Sequence, residues 1–214
     1  MSYDTVMSMQ DADSYLGPYV EAQREHGSDV KVTLWANERT QRLRFKVFCE
    51  MVFFTGKRVL DAGCSRGDFA AYLLTREQRY ATFVGLDGLP EVIDFANGRG
   101  LADSEFHAGD FVAEPGLLTI GDPQVVAISG TLNTMEDDTA LGLLDHCWDA
   151  AGEALVFNFL SDTVSPKAPL QKPPARRLPT LKLLDWAFGK TSQVVLRQDY
   201  FPGGHDATIL MRRG

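Results

Sequence analysis

The sequence predicts an α/β fold: a doubly wound, seven-stranded, mostly parallel sheet with an antiparallel last strand, helices on both faces and an N-terminal helical extension. Three observations predict it. From residue 58 onward, short apolar runs alternate with helical patterns. Those runs show little polar alternation, as expected of strands covered on both faces. The last two runs are joined through Pro202-Gly203-Gly204, too short a link for a crossover helix, so they must pair antiparallel.

The elements follow in order. Residues 11–25 read as a polar helix. Asn37 is placed to cap a second helix reaching about Phe53, with Leu43, Val47, Phe48, Met51 and Val52 as its apolar stripe. Arg58–Ala62 is a short strand that runs into a glycine-bearing turn, and a helix with Phe69, Leu73 and Leu74 follows. Thr82–Asp87 is the second strand. Pro90–Asn97 is a helix opened by proline at an allowed first-turn position. Ser104–His107 and Gln124–Ser129 are strands three and four, with a helix over Asp137–Ala150 after them. Glu153–Leu160 is the fifth strand, and Leu181–Phe188 is helical. Gln193–Tyr200 and Ala207–Arg212 close the sheet. Residues 1–56 form the extension and 57–214 the main domain, with 161–180 as a loop inside that domain between the fifth strand and the last helix.

Composition bounds the function. A chain of 214 residues with 44% hydrophobic and 23% charged side chains is one ordinary globular domain, which excludes wholesale disorder. Lys and Arg number 21 against 29 Asp and Glu, and a net charge of -8 repels phosphate backbones, so no nucleic-acid partner is expected. No apolar stretch approaches the roughly 20 residues that span a bilayer, so no membrane partner is expected. Met1–Gln10 has neither a basic leader nor an apolar run. Cys49, Cys64 and Cys147 are odd in number and far apart, which suits free thiols in a cytoplasmic protein. The four histidines have no metal-ligand spacing, so no metal is expected.

The most informative segment is Val59-Leu60-Asp61-Ala62-Gly63-Cys64-Ser65-Arg66-Gly67-Asp68. Small residues between a strand and a helix let the backbone approach a ligand closely, and the helix start offers unpaired N–H groups. Asp87 ends the second strand, followed by Gly88. A carboxylate there can accept both hydroxyl protons of a ribose. Asp110, after the third strand, is placed to meet an adenine edge, with Phe111 as an apolar wall.

On these residues the chain resembles the class I S-adenosylmethionine-dependent methyltransferases. Their first motif, acid-x-Gly-x-Gly-x-Gly, aligns with Asp61, Gly63, Ser65 and Gly67, with Ser65 replacing the middle glycine. The resemblance implies S-adenosylmethionine as cofactor, Asp87 on its ribose, Asp110 on its adenine, and Ser129-Gly130-Thr131-Leu132-Asn133 along its methionine end. Asp61 would act near the methionine amino group, and Gly63 and Cys64 would approach the cofactor by backbone. It covers about residues 57–160, and the final strand pair fits the family's last hairpin. Trp35, Glu38, Gln41, Arg44 and Phe45 resemble an N-terminal helix of many small methyltransferases of this class. So do Asn158-Phe159-Leu160-Ser161 and Asp199-Tyr200. Those relatives share no agreed substrate. Trp35 and Arg44 are thereby candidates for the cofactor site, Arg44 for its carboxylate.

Two other enzymes fit parts of the loop. Gly63-Cys64-Ser65-Arg66-Gly67 matches the G-x-S-x-G elbow of serine hydrolases, but no HGGG-type oxyanion loop precedes it. A nicotinamide-dependent oxidoreductase would need a glycine at position 68, where Asp68 would repel a pyrophosphate. A protein that binds S-adenosylmethionine without chemistry is a third alternative. The expected function is methyl transfer to a small-molecule acceptor.

The loop 161–180 carries five prolines, at 166, 169, 173, 174 and 179, and leaves the carboxyl end of the fifth strand. It is expected to be a mobile lid over the acceptor. Lys167, Lys172, Arg176 and Arg177 face a single acid in the loop, Asp162, which suggests an anionic acceptor. Lys172, Arg176, Arg177 and Asn158, near the end of the fifth strand, are the candidate acceptor contacts.

Overall fold

The computed structural model describes residues 15–27 and 37–214. Trp35 and residues 11–14 of the first expected helix lie outside the described residues. Helix α1 spans Gly17–His26, with Pro18 in its first turn, where a missing N–H costs nothing. Helix α2 spans Glu38–Met51, and the Asn37 side chain accepts from the Thr40 N–H, as a cap should.

The sheet follows: β1 (Arg58–Ala62), β2 (Thr82–Asp87), β3 (Ser104–Ala108), β4 (Val125–Ser129), β5 (Ala154–Leu160), β6 (Val194–Arg197) and β7 (Asp206–Arg212). Between them lie α3 (Asp68–Thr75), α4 (Pro90–Gly98), α5 (Asp137–Ala150) and α6 (Thr180–Lys190). The strand order is β3-β2-β1-β4-β5-β7-β6. β7 runs antiparallel between β5 and β6, and the remaining pairings are parallel. The chain reverses direction across the sheet between β1 and β4, which opens a crevice at their carboxyl ends. β6 ends at Arg197, three residues before its expected end. There Gln198 turns its amide to the carbonyls of Thr163 and Gly204, and Tyr200 turns its hydroxyl to Asp206.

Two cores cover the faces. α2, α3 and α4 pack on one face through Phe45, Phe48, Phe69, Leu73 and Ile93. α5 and α6 pack on the other through Leu143, Leu144, Leu183 and Ala187. The first core is largely aromatic: Phe69 meets Phe45 at 5.0 Å and Phe54 edge-on at 5.4 Å between ring centres. Phe45 is therefore core. α2 belongs to the same packed layer as α3. α1 adds Tyr19 and Val20 against Leu89 and Val92 at the start of α4.

Candidate functional site

The loop after β1 is shaped by close approach. Gly63 has φ +84°, and a Cβ there would fall 1.9 Å from Thr131 Oγ1. That hydroxyl donates to the Ala62 carbonyl at 3.0 Å and so ties the end of β4 to the end of β1. Gly67 has φ +69°, with Phe106 against the position of a Cβ. Ser65 sits between them at φ 46°, in the left-handed region that favours glycine. A serine there takes up a glycine's backbone role.

Asp87 organises the crevice. Its Oδ2 accepts the Ser65 N–H at 2.9 Å, and its Oδ1 accepts the Leu89 N–H at 3.0 Å. Burial raises its pKa to about 6, against the lowering effect of those N–H groups. Each oxygen keeps acceptor capacity for a further donor. Asp61, at the end of β1, is 2% exposed, and its Oδ1 has no hydrogen-bond partner. Burial first, and then the charges of Asp87 and Asp68, push its pKa up to about 8. A buried carboxylate oxygen without a partner is costly unless a donor arrives, and a cationic ligand group meets that need.

Gly63, Ser65 and Asp87 line one pocket, and Asp61 and Gly67 are not among its lining residues. Its floor is the backbone of Gly63, Ser65 and Gly130, with Ser129 and Thr131 beside them. Asp87 and Gly88 form one side, and Leu89 and Phe111 supply apolar walls. Tyr15, Leu16 and Tyr19 close the outside. Sequence reasoning missed these last three residues. The only signal was the apolar spacing Tyr15, Leu16, Tyr19 within an otherwise polar helix.

Other expected site residues have different surroundings. The Asp110 Oδ1 is occupied by the Tyr15 hydroxyl and by the N–H groups of Val112 and Ala113. Cys64 is buried with its thiol near the Ser65 carbonyl, at 3.6 Å, and burial raises its pKa well above the usual thiol range, so it is no nucleophile. Arg44 donates from Nε to Asp206 Oδ2 at 2.7 Å, contacts it again through Nη2, and lies over the Phe201 ring. Arg44 is not among the residues lining the pocket. Asn158 accepts the Gly130 N–H at 2.8 Å and donates to Ser129 Oγ at 3.2 Å, so it holds the end of β4 from β5.

The loop 161–180 is tied down. Ser161 and Leu178 form a parallel bridge, the Ser165 N–H bonds Gly203, and the Arg176 N–H bonds Asn133. Arg176 pairs with Glu136 and Asp137. Arg177 donates to the carbonyls of Ser161 and Pro169. These contacts engage both arginines within the fold, so the loop carries less free positive charge than its sequence suggests. Lys172 is exposed, and none of the three lines the pocket. Asp68 lies in a separate cleft, paired with Arg99 at 2.7 Å. Its charge is largely compensated there, so its repulsion of a pyrophosphate is weaker than the sequence implies.

No protein-family model matches the chain, and no curated protein matches it. Solved structures do. Magnesium protoporphyrin IX methyltransferase (ChlM) from Synechocystis PCC 6803, with bound SAH, superposes with a TM-score of 0.63 at 15% identity, over 96% of this chain and 97% of that one. The chain has a methyltransferase fold. DhpI in complex with SAM and HEP gives 0.62 at 16% identity, over 94% and 99% of the two chains. The small RNA methyltransferase HEN1 gives 0.62 at 14% identity, over 82% of this chain and 25% of that one. The methyltransferase fold thus serves small-RNA as well as other acceptors. It also separates this sheet from the all-parallel 3-2-1-4-5-6 order of dinucleotide-binding folds, because β7 enters antiparallel between β5 and β6.

Among the described residues, no cluster of His, Cys, Asp or Glu could hold a metal ion. No described helix is long and apolar enough to cross a membrane. No histidine lines the pocket beside Ser65, so the described residues there give that serine no base.

Proposed function

We propose that this protein is an S-adenosylmethionine-dependent methyltransferase acting on a small-molecule acceptor. The observation that carries the reading is Asp87 beside the glycine loop in an apolar-walled pocket, at the crevice between β1 and β4. The unpartnered Asp61 oxygen supports it, since the cofactor's methionine end carries an ammonium group.

S-adenosylmethionine, when bound, supplies an electrophilic methyl group on a sulfonium. The chain's part is binding, alignment and exclusion of water. Asp87 would take the ribose hydroxyls, with Leu89 and Phe111 flanking the base. Gly63 and Ser65 would admit the cofactor by close backbone approach. Asp61 would offset the ammonium, and Ser129 and Gly130, held by Asn158, would line the methionine end. Aligning two reactants contributes up to roughly 7–11 kcal/mol, so no nucleophile or acid–base pair is required of the protein.

The net charge of -8 supports a small molecule over a nucleic acid as acceptor. The buried free thiols Cys64 and Cys147 suit a reducing cytoplasm. Incubation with S-adenosylmethionine and a panel of metabolites, read as release of S-adenosylhomocysteine, tests the reading. Acceptor-dependent release supports it. Binding of the cofactor without release over any small molecule or RNA would leave a non-catalytic binding protein instead.

A further inference from the structure

Tyr15, Leu16 and the first turn of α1 cover the pocket, and their contacts are specific. The Tyr15 hydroxyl, just ahead of α1, donates to Asp110 in the loop after β3. Leu16 lies on Gly88, where a Cβ would come within 2.9 Å of its Cδ2. Tyr19 packs on Leu89 and Val92. Beneath them the space open to water-sized groups is about 50 Å³, room for a few waters and less than a nucleoside needs. Desolvation and the neighbouring Asp110 push the pKa of the half-buried Tyr15 hydroxyl far up, so it stays a donor.

We propose that residues 15–19 are a gate over the nucleoside pocket, latched by the hydrogen bond from Tyr15 to Asp110, and that the cofactor enters and leaves only when the latch opens. This rests on the cofactor reading above. Asp110 then holds the gate through its Oδ1, which accepts from three donors. Gly88 is the seat of the gate: any larger residue there would lift Leu16. If only the open fraction admits ligand, both the association and dissociation rates scale with that fraction.

The test uses S-adenosylhomocysteine as probe, with rapid mixing and a chase, on the wild type, Tyr15→Phe, Asp110→Asn and Leu16→Ala. Asparagine keeps an acceptor for Val112 and Ala113 while removing the charge. Leu16→Ala loosens the seat and leaves the latch intact. Thermal melts confirm that each variant folds. A hydrogen bond to a charged group is strong enough that Tyr15→Phe should speed both association and dissociation by about tenfold. The other two variants should move both rates in the same direction, with the dissociation constant changing less than either rate. Faster dissociation with unchanged association would make Tyr15 a wall contact and overturn the gate. Unchanged rates in all three variants would overturn it as well. Absence of binding by the wild type would instead overturn the cofactor reading.

Discussion

The Asp87 carboxylate accepts the backbone N–H of Ser65 at 2.9 Å, joining the end of β2 to the glycine loop of β1. One side chain thus shapes the loop and faces the pocket. Asp87→Ala should weaken S-adenosylhomocysteine binding at least tenfold, since hydrogen bonds to a charged group contribute about 1.5–3 kcal/mol. Calorimetry checks this. Equal affinity in variant and wild type would remove Asp87 from the site.

Asp61 makes pH a probe. Its unfolded pKa is near 3.9, whereas in the folded chain burial raises it to about 8. The folded chain therefore holds more protons across that window, and the protein without ligand should lose stability as pH rises from about 4 to about 8. Asp87, raised to about 6, contributes only to the lower part of the window. A ligand ammonium favours the ionised form of Asp61, so its binding should release a proton. S-adenosylhomocysteine affinity should therefore rise between pH 6 and 8, and Asp61→Asn should flatten that rise. Titrations in buffers of different ionisation heat measure the proton directly, and no release in the wild type would contradict the placement.

Ser65 and Gly67 separate backbone shape from chemistry. Ser65→Gly should keep cofactor binding and change stability by less than about 1 kcal/mol, because glycine accepts φ 46° without strain while loosening the unfolded chain. Gly67→Ala should destabilise by more, since its Cβ would sit 2.8 Å from Phe106 at φ +69°. Thermal melts rank the two. Labelling of Ser65 by a fluorophosphonate would revive a hydrolase.

Arg44 and Asp206 form a buried ion pair, with Tyr200 donating to the other carboxylate oxygen at 2.6 Å. Removing one partner leaves a buried charge, so Arg44→Met should cost about 3–5 kcal/mol of stability. Urea unfolding measures it. A variant that stays fully stable but binds cofactor weakly would instead make Arg44 the partner of the cofactor carboxylate.

Much of this was legible in the sequence, for physical reasons. The runs Arg58–Ala62 and Thr82–Asp87 stand out because strands buried on both faces need continuous apolar residues. Gly63 and Gly67 mark the loop because a positive φ and a close neighbour exclude side chains there. Asp87 is placed by its position at a strand end. Arg44 was not legible in the same way: a helix arginine gives no sign of which distant acid it meets, and Asp206 lies 162 residues away. Arg176 and Arg177 read as free charge because their partners, Glu136, Asp137 and backbone carbonyls, lie outside the loop or leave no sequence trace. Tyr15 and Leu16 were missed because the short apolar spacing says nothing about a pocket formed by residues up to 116 positions later.

The central claim is that the pocket takes a sulfonium nucleoside. Side-by-side calorimetric titration of the purified protein with S-adenosylhomocysteine and with NAD tests it most directly. Saturable binding of S-adenosylhomocysteine at one site per chain, with no heat from NAD, is the result expected. Binding of NAD with no response to S-adenosylhomocysteine would contradict the account.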